Sequence, residues 1–326
     1  MMQTFNQFQA IFEQYMAANR FEKPPAALYE PVDYILSLGG KRLRPAMLLL
    51  GYSLFDEAIE KALPAAFAVE IFHNFSLVHD DIMDAAPLRR GKETVHSKYG
   101  LNAGILSGDV MLASAFGQLL RLENKKMLPA IMEVFTRMAI EVCEGQQMDM
   151  DFETTEQVSI AEYLKMIELK TSVLVAASLK MGAMLAGASS ANANHLYEFG
   201  RNLGIAFQLQ DDLLDTFGDP NKVGKKVGGD IVQNKKTFLY LQALALADDA
   251  TKGKLLKLYA GGPYDEKSKV ETVTAIFREL RIGEITERLK ESYWVEAIGS
   301  LRSVEARENG IGLLEKFAEN LMQREF

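Results

Sequence analysis

Phe75-Ser76-Leu77-Val78-His79-Asp80-Asp81-Ile82-Met83-Asp84 and Phe207-Gln208-Leu209-Gln210-Asp211-Asp212-Leu213-Leu214-Asp215 carry one device twice, an Asp-Asp-x-x-Asp cluster set in apolar sequence. On a helix the first and last aspartates of each cluster lie one turn apart on one face. Like charges there repel, and apolar neighbours raise the cost, because a buried carboxylate needs a partner. Divalent ions are the simplest compensation. Carboxylate oxygens with no His or Cys cluster beside them suit Mg2+, with Mn2+ as the alternative hard ion, rather than zinc. Mg2+ takes one or two carboxylates together with substrate phosphates, so two such clusters predict a diphosphate trap. A pair of solvated helix faces would explain one acidic run but suits two identical patterns poorly.

Basic residues complete the picture. Gly39-Gly40-Lys41-Arg42-Leu43-Arg44-Pro45 presents three cations after a glycine pair, and Leu88-Arg89-Arg90-Gly91 comes soon after the first cluster. Gly224-Lys225-Lys226-Val227-Gly228-Gly229-Asp230 and Asn234-Lys235-Lys236-Thr237 follow the second. Each basic pair alone reads as surface charge. Acidic then basic, in the same order twice, reads as metal and cation gripping one polyphosphate.

The chain between these motifs reads as helix. No proline lies between Pro129 and Pro220, and Ile160, Tyr163, Leu164, Ile167 and Val173-Leu174 keep helical spacing. The pattern predicts helices over 102–122, 129–150, 159–187 and 193–217, with Pro and Gly marking the ends. Alternating strands are scarce, and short repeats and low-complexity linkers are absent. The expectation is all-α: one helical domain over residues 1–326, with the two clusters on facing helices around a central cavity.

Of 326 residues 48% are hydrophobic, enough for a sizeable core, and no apolar run approaches the roughly 18 residues of a membrane span. The N-terminus lacks a secretory pattern, and the single cysteine, Cys143, fits a reducing compartment and reads as a small core residue. A cytoplasmic enzyme without stable membrane insertion is expected. The net charge of −8 argues against nucleic acid as a partner. Gly224-Lys225-Lys226 and Gly91-Lys92-Glu93 break the P-loop pattern, and neither cluster has the glycine and terminal glutamate of an EF-hand loop.

Gly-Gly-Lys-x-x-Arg-Pro, Asp-Asp-x-x-Asp with Leu-Arg-Arg-Gly, Leu169-Lys170-Thr171 and Phe-Gln-x-x-Asp-Asp-x-x-Asp together resemble the trans-isoprenyl (polyprenyl) diphosphate synthases, the farnesyl and geranylgeranyl type included. The resemblance implies the isoprenoid synthase bundle, a homodimer, and condensation of isopentenyl diphosphate with an allylic diphosphate such as dimethylallyl, geranyl or farnesyl diphosphate. It implies diphosphate–metal ligands at Asp80, Asp84 and Asp211. Asp81, Asp212 and Asp215 are then further ligands, or acceptors that orient metal-bound water. It assigns Arg89, Lys170, Lys225 and Lys235 to the allylic diphosphate, and Lys41, Arg44, His73 and Arg90 to isopentenyl diphosphate. Thr171 and Gln208 would turn oxygen dipoles to the carbocation, and Gln146 and Asp149 match a motif near the allylic chain. The departed diphosphate would serve as base.

Two departures are visible: the chain ends Gln323-Arg324-Glu325-Phe326 rather than in a basic tail, so lid closure from the terminus is not expected, and the first cluster lacks a two-residue insertion common in bacterial farnesyl synthases. The rivals are a class I terpene cyclase, disfavoured by the second cluster and by Gly39–Pro45, and a non-catalytic subunit of a heteromeric synthase, disfavoured because no motif aspartate or arginine is missing. Product length is a question of cavity depth. Phe72, Ser76, Asp80 and Asp84 form one helical stripe. Phe72 falls about 12 Å and Phe75 about 7.5 Å below Asp80, so the two rings are expected to close the floor with small Ser76 above, giving farnesyl or, slightly favoured, geranylgeranyl diphosphate.

Overall fold

Residues 5–219, 227–262, 264–307 and 310–322 are described by the computed structural model. In chain order the helices are α1 Phe5–Ala18, α2 Ala26–Ser37, α3 Leu43–Ser53, α4 Leu63–Met83, α5 Val95–Tyr99, α6 Leu101–Leu119, α7 Leu128–Thr154, α8 Ile160–Ile167, α9 Val173–Leu185 and α10 Ser190–Phe217. Then come α11 Gly229–Val232, α12 Phe238–Leu246, α13 Asp249–Tyr259, α14 Glu266–Glu279, α15 Ile282–Arg302 and α16 Gly310–Met322. Among the described residues the only strands are Leu88–Arg89 (β1) and Lys92–Glu93 (β2). The all-α expectation holds. Among these residues no helix is long and apolar enough to cross a membrane.

Contacts divide the chain into two compact units, one of Met1–Ala139, Leu174–Tyr197 and Arg302–Leu314, the other of Ile140–Val173, Glu198–Leu301 and Glu315–Phe326. The first is organised on α4, which buries Ala65, Ala66, Phe67, Ala68, Val69, Ile71 and Phe72 completely. A helix apolar on every side is stable only when surrounded. Phe67 receives Phe12 of α1 at 6.3 Å and Phe21 at 6.2 Å between ring centroids. Two glycines bring α3 and α9 into backbone contact: a Cβ on Gly51 would lie 2.6 Å from the Leu179 carbonyl oxygen, and one on Gly182 would meet the Leu48 carbonyl. In the second unit Tyr163 and Ile167 of α8, Leu209 of α10, Leu239 of α12 and Val273 and Phe277 of α14 share a core. α8 starts at a capping box, in which the Ser159 N–H donates to Glu162 at 2.8 Å and Glu162 N–H donates to Ser159 Oγ at 3.2 Å.

The predicted ends of α6, α7 and α10 fall within four residues of those observed. The stretch 159–187 instead divides into α8 and α9 around a π-helical turn, Glu168–Ser172. Cys143 is exposed rather than in the core. The buried positions of α7 include Phe135, Met138, Ala139 and Val142, and Cys143 falls one residue past that stripe.

Close approach at Gly182 makes a specific demand on stability. Gly182→Val is expected to lower the unfolding free energy by about 1–3 kcal/mol through overpacking against α3. Urea denaturation measures this, and a change within about 0.5 kcal/mol would show that the α3–α9 spacing is not set there.

Candidate active site

α4 delivers the first aspartate cluster at its C-terminal end, where Asp84 N–H still donates to the Asp80 carbonyl at 2.9 Å. The chain then reverses through the β1–β2 hairpin, with Arg90 (φ 53°) and Gly91 (φ 74°) both left-handed at its turn, as a two-residue hairpin requires. That reversal aims Arg89 back at the helix. Its Nε lies 2.8 Å from both oxygens of Asp81, and its terminal nitrogen reaches Asp81 at 2.7 Å and Asp80 at 3.2 Å. Asp81 is 1% exposed, Asp80 half-buried and Asp84 exposed. Burial pushes the Asp81 carboxyl above its usual range, against the opposing pull of Arg89.

The Gly39–Pro45 segment is not a simple display of three cations. Arg42 turns inward to a buried ion pair with Glu70 of α4, whose carboxylate also accepts from Asn74 Nδ2 at 3.0 Å. With Arg42 in the left-handed region (φ 42°), this buried pair anchors the loop. Lys41 is exposed. Arg44 lies 3.2 Å from His73 Nε2, and among the described residues the buried Arg44 Nε has no hydrogen-bond acceptor. Arg90 donates to the Gly39 carbonyl, and a Cβ on Gly40 would lie 2.8 Å from the Arg90 guanidinium. Burial and then the Arg44, Arg90 and Arg89 charges hold His73 well below the ordinary imidazole value, so it is the neutral acceptor for Arg44.

In the second unit α10 carries the second cluster. Asp212 is 3% exposed, taking Tyr163 Oη at 2.5 Å on one oxygen and Gln208 Nε2 at 3.3 Å on the other. Burial pushes it up to about 8, although both hydrogen bonds act downward. Asp211 and Asp215 are half-buried. Asp215 ties down Gly228 and Asp230: Gly228 N–H donates to its carbonyl at 2.6 Å and Asp230 N–H to its Oδ2 at 3.0 Å. Lys235 is exposed nearby in sequence, whereas Lys225 lies outside the described residues, as do the terminal residues 323–326.

The π-helical turn carries Lys170 and Thr171, both half-buried. Lys170 Nζ is 2.6 Å from Asp149 Oδ2 of α7. Gly145, one turn before Asp149, lets the Lys170 backbone N–H approach α7 where a Cβ would collide with it. On the other side a Cβ on Gly204 of α10 would lie 2.7 Å from Ser172. Gln146 is half-buried on α7. Sequence reasoning did not single out Glu70, Tyr163 or these glycines. A lone glutamate inside apolar α4 was the available sign for Glu70, and glycines inside long helices were the sign for the backbone contacts.

The chain matches the Polyprenyl synthetase family over residues 25–278. The geranylgeranyl diphosphate synthase of Methanosarcina mazei is 43% identical over 253 residues, 77% of this chain and 75% of that protein. The short chain isoprenyl diphosphate synthase of Methanocaldococcus jannaschii is 43% identical over 231 residues, 71% of this chain and 70% of that one. A crystal structure of a geranylgeranyl pyrophosphate synthase superposes with a TM-score of 0.94 at 44% identity, covering 100% of both chains; that of the Pyrococcus horikoshii geranylgeranyl pyrophosphate synthetase gives 0.92 at 34%, covering 98% and 97%.

The chain belongs to the polyprenyl synthetase family.

Among the described residues no three His, Cys, Asp or Glu side chains form a closed metal cage. Asp81 and Asp212 are buried on Arg89, Tyr163 and Gln208, while Asp80 (which also meets Arg89), Asp84, Asp211 and Asp215 stay half-buried or exposed; carboxylates so placed suit a hard cation completed by water and phosphate.

The neutral state of His73 has a measurable cost in acid. Its folded value is depressed, so below the free imidazole's pKa of about 6.5 the unfolded chain takes up the extra proton and stability falls, while above it the effect vanishes. Wild type is expected to lose about 1.4 kcal/mol more than His73→Gln between pH 7.5 and 5.5. Denaturation at the two pH values measures it, and equal losses would show that His73 is protonated in the fold.

Proposed function

We propose that this trans-prenyltransferase condenses isopentenyl diphosphate with an allylic diphosphate head to tail, as one catalytic domain, and that geranylgeranyl diphosphate is its main product. One observation supports the assignment of the site: in each cluster the middle aspartate is buried on a protein donor, while the first and last stay half-buried or exposed. Asp80, Asp84, Asp211 and Asp215 would hold Mg2+, which when bound offsets the charge on the leaving diphosphate. Arg89, Lys170, Lys225 and Lys235 bind the allylic diphosphate. Lys41, Arg44 and Arg90 bind isopentenyl diphosphate, with His73 orienting Arg44, whose spare N–H suits an anion. Thr171 and Gln208 face the developing allylic cation with oxygen dipoles, the C–O bond breaks toward preorganised positive charge, the isopentenyl double bond attacks, and a proton leaves to the departed diphosphate.

A homodimer in the cytoplasm is part of the same reading. Leu101, Ile105, Leu106 and Leu120 expose apolar surface on or beside α6, and a second copy of the chain would cover it. The relatives include synthases named for geranylgeranyl and for geranylfarnesyl products, so product length rests on this chain's own residues below Asp80. Phe72 is fully buried, 5.6 Å from both Phe75 and Phe135, and Phe135 meets Phe116 edge-on at 5.2 Å. Phe75, 8% exposed, lies 4.8 Å from His79, and Ser76 Oγ is tied to the His73 carbonyl at 2.8 Å. This aromatic cluster supports a floor at the depth of Phe72 and Phe75.

EDTA is expected to abolish turnover, and Asp80→Ala or Asp211→Ala to lower kcat by at least about a hundredfold, measured with labelled isopentenyl diphosphate. Near-normal turnover in either variant would overturn the two-cluster assignment. Phe75→Ala should shift products beyond geranylgeranyl, read by mass spectrometry. An active variant with unchanged product would place the stop elsewhere.

A further inference from the structure

α14 contributes none of the residues assigned above, yet it seats Gly228 and Asn234, in the segment that leads into Lys235. Two adjacent residues of α14 do this. Val270 fills the space beside Gly228, where a Cβ would come within 2.6 Å of its methyl groups and where the backbone is left-handed (φ 87°). Lys269, only 6% exposed, donates from its ammonium to Asn234 Oδ1.

A lysine on the core side of α14, beside Val273 and Phe277, is costly because burial strips water from the ammonium. Burial also lowers its pKa. Its partners are specific: besides Asn234, the ammonium sits 5.1 Å from the Tyr259 ring centroid, and Tyr259 stacks on Tyr240 at 3.9 Å. Asn234 is itself strained, a non-glycine residue in the left-handed region (φ 59°). The next residue, Lys235, donates its N–H to the Asp230 carbonyl at 2.9 Å, and Asp230 in turn holds Asp215. The Lys269 bond therefore pins the strained residue next to Lys235, at the end of the Gly228–Lys235 segment that Gly228 and Asp230 tie to Asp215.

We propose that Lys269 is a positioning residue that acts through Asn234 to fix Lys235 at the allylic diphosphate. This rests on the reading that Lys235 binds that diphosphate, so the test includes Lys235 itself. Methionine at 269 keeps the apolar stem and removes the ammonium. Steady-state kinetics of the full enzyme with geranyl and isopentenyl diphosphates, with thermal melting alongside, decides the matter. Lys269→Met is expected to raise KM for geranyl diphosphate roughly tenfold, the scale of one charge-assisted hydrogen bond, with KM for isopentenyl diphosphate and the melting temperature unchanged. Asn234→Gly, which keeps the left-handed turn and removes the acceptor, should do the same, and the double variant should be no worse than either single one.

If Lys235→Ala raises the geranyl KM and Lys269→Met does not, the tether is overturned. Additive effects of Lys269→Met and Asn234→Gly would also overturn it, since Lys269 would not then act through Asn234. Equal rises in both KM values with a lower melting temperature would make Lys269 a merely structural residue. A geranyl KM unmoved in Lys235→Ala would instead overturn the reading of Lys235, whatever Lys269 does.

Discussion

An Asp-Asp-x-x-Asp cluster in apolar surroundings crowds three carboxylates onto about one helical turn, and the cost falls when one of them is satisfied inside the protein. Each cluster does this by turning its middle aspartate onto a donor of its own. The two solutions differ. Asp81 takes a guanidinium, with Arg89 at 2.7–2.8 Å, so its charge is matched inside the protein. Asp212 takes a phenol and a carboxamide, Tyr163 and Gln208, which are weaker compensation for a buried charge; burial accordingly drives it up to about 8. Much local structure follows from these contacts. The left-handed Arg90-Gly91 turn exists where Arg89 must double back on α4, and α8 places Tyr163 at the core edge where Asp212 arrives.

Most of this was legible as types and spacing. The Asp-Asp-x-x-Asp stripes and the ends of α6, α7 and α10 follow from helical periodicity, because long amphipathic helices leave a strong local signal. The roles inside each motif were less legible. Arg42 and Arg44 stand two residues apart in one basic run, yet Arg42 is buried on Glu70 and Arg44 faces His73. Nothing local separates them, since the outcome depends on a glutamate 28 residues later. Cys143 was misplaced for a related reason: on a 27-residue helix one step along the chain turns a side chain by about 100°, from buried to exposed.

The π-helical turn shows where periodicity stops being informative. The mostly polar Glu168-Leu169-Lys170-Thr171-Ser172 joins an amphipathic α8 to a nearly all-apolar α9, so no single period crosses the turn to register an extra residue. Its cause lies in its neighbours. Gly145 on α7 and Gly204 on α10 let two helices press on the backbone of 170–172, and the widened turn is the form the chain takes between them. Asp149, one turn beyond Gly145, then catches Lys170. One face of α7 thus sets both the backbone and the ammonium of Lys170. Helix interiors disfavour glycine by about 1 kcal/mol relative to alanine, and that cost is offset here by a backbone approach no other residue permits. Glycines inside long helices, rather than the charged motifs they sit beside, are the sign of where this chain needs its backbones to touch.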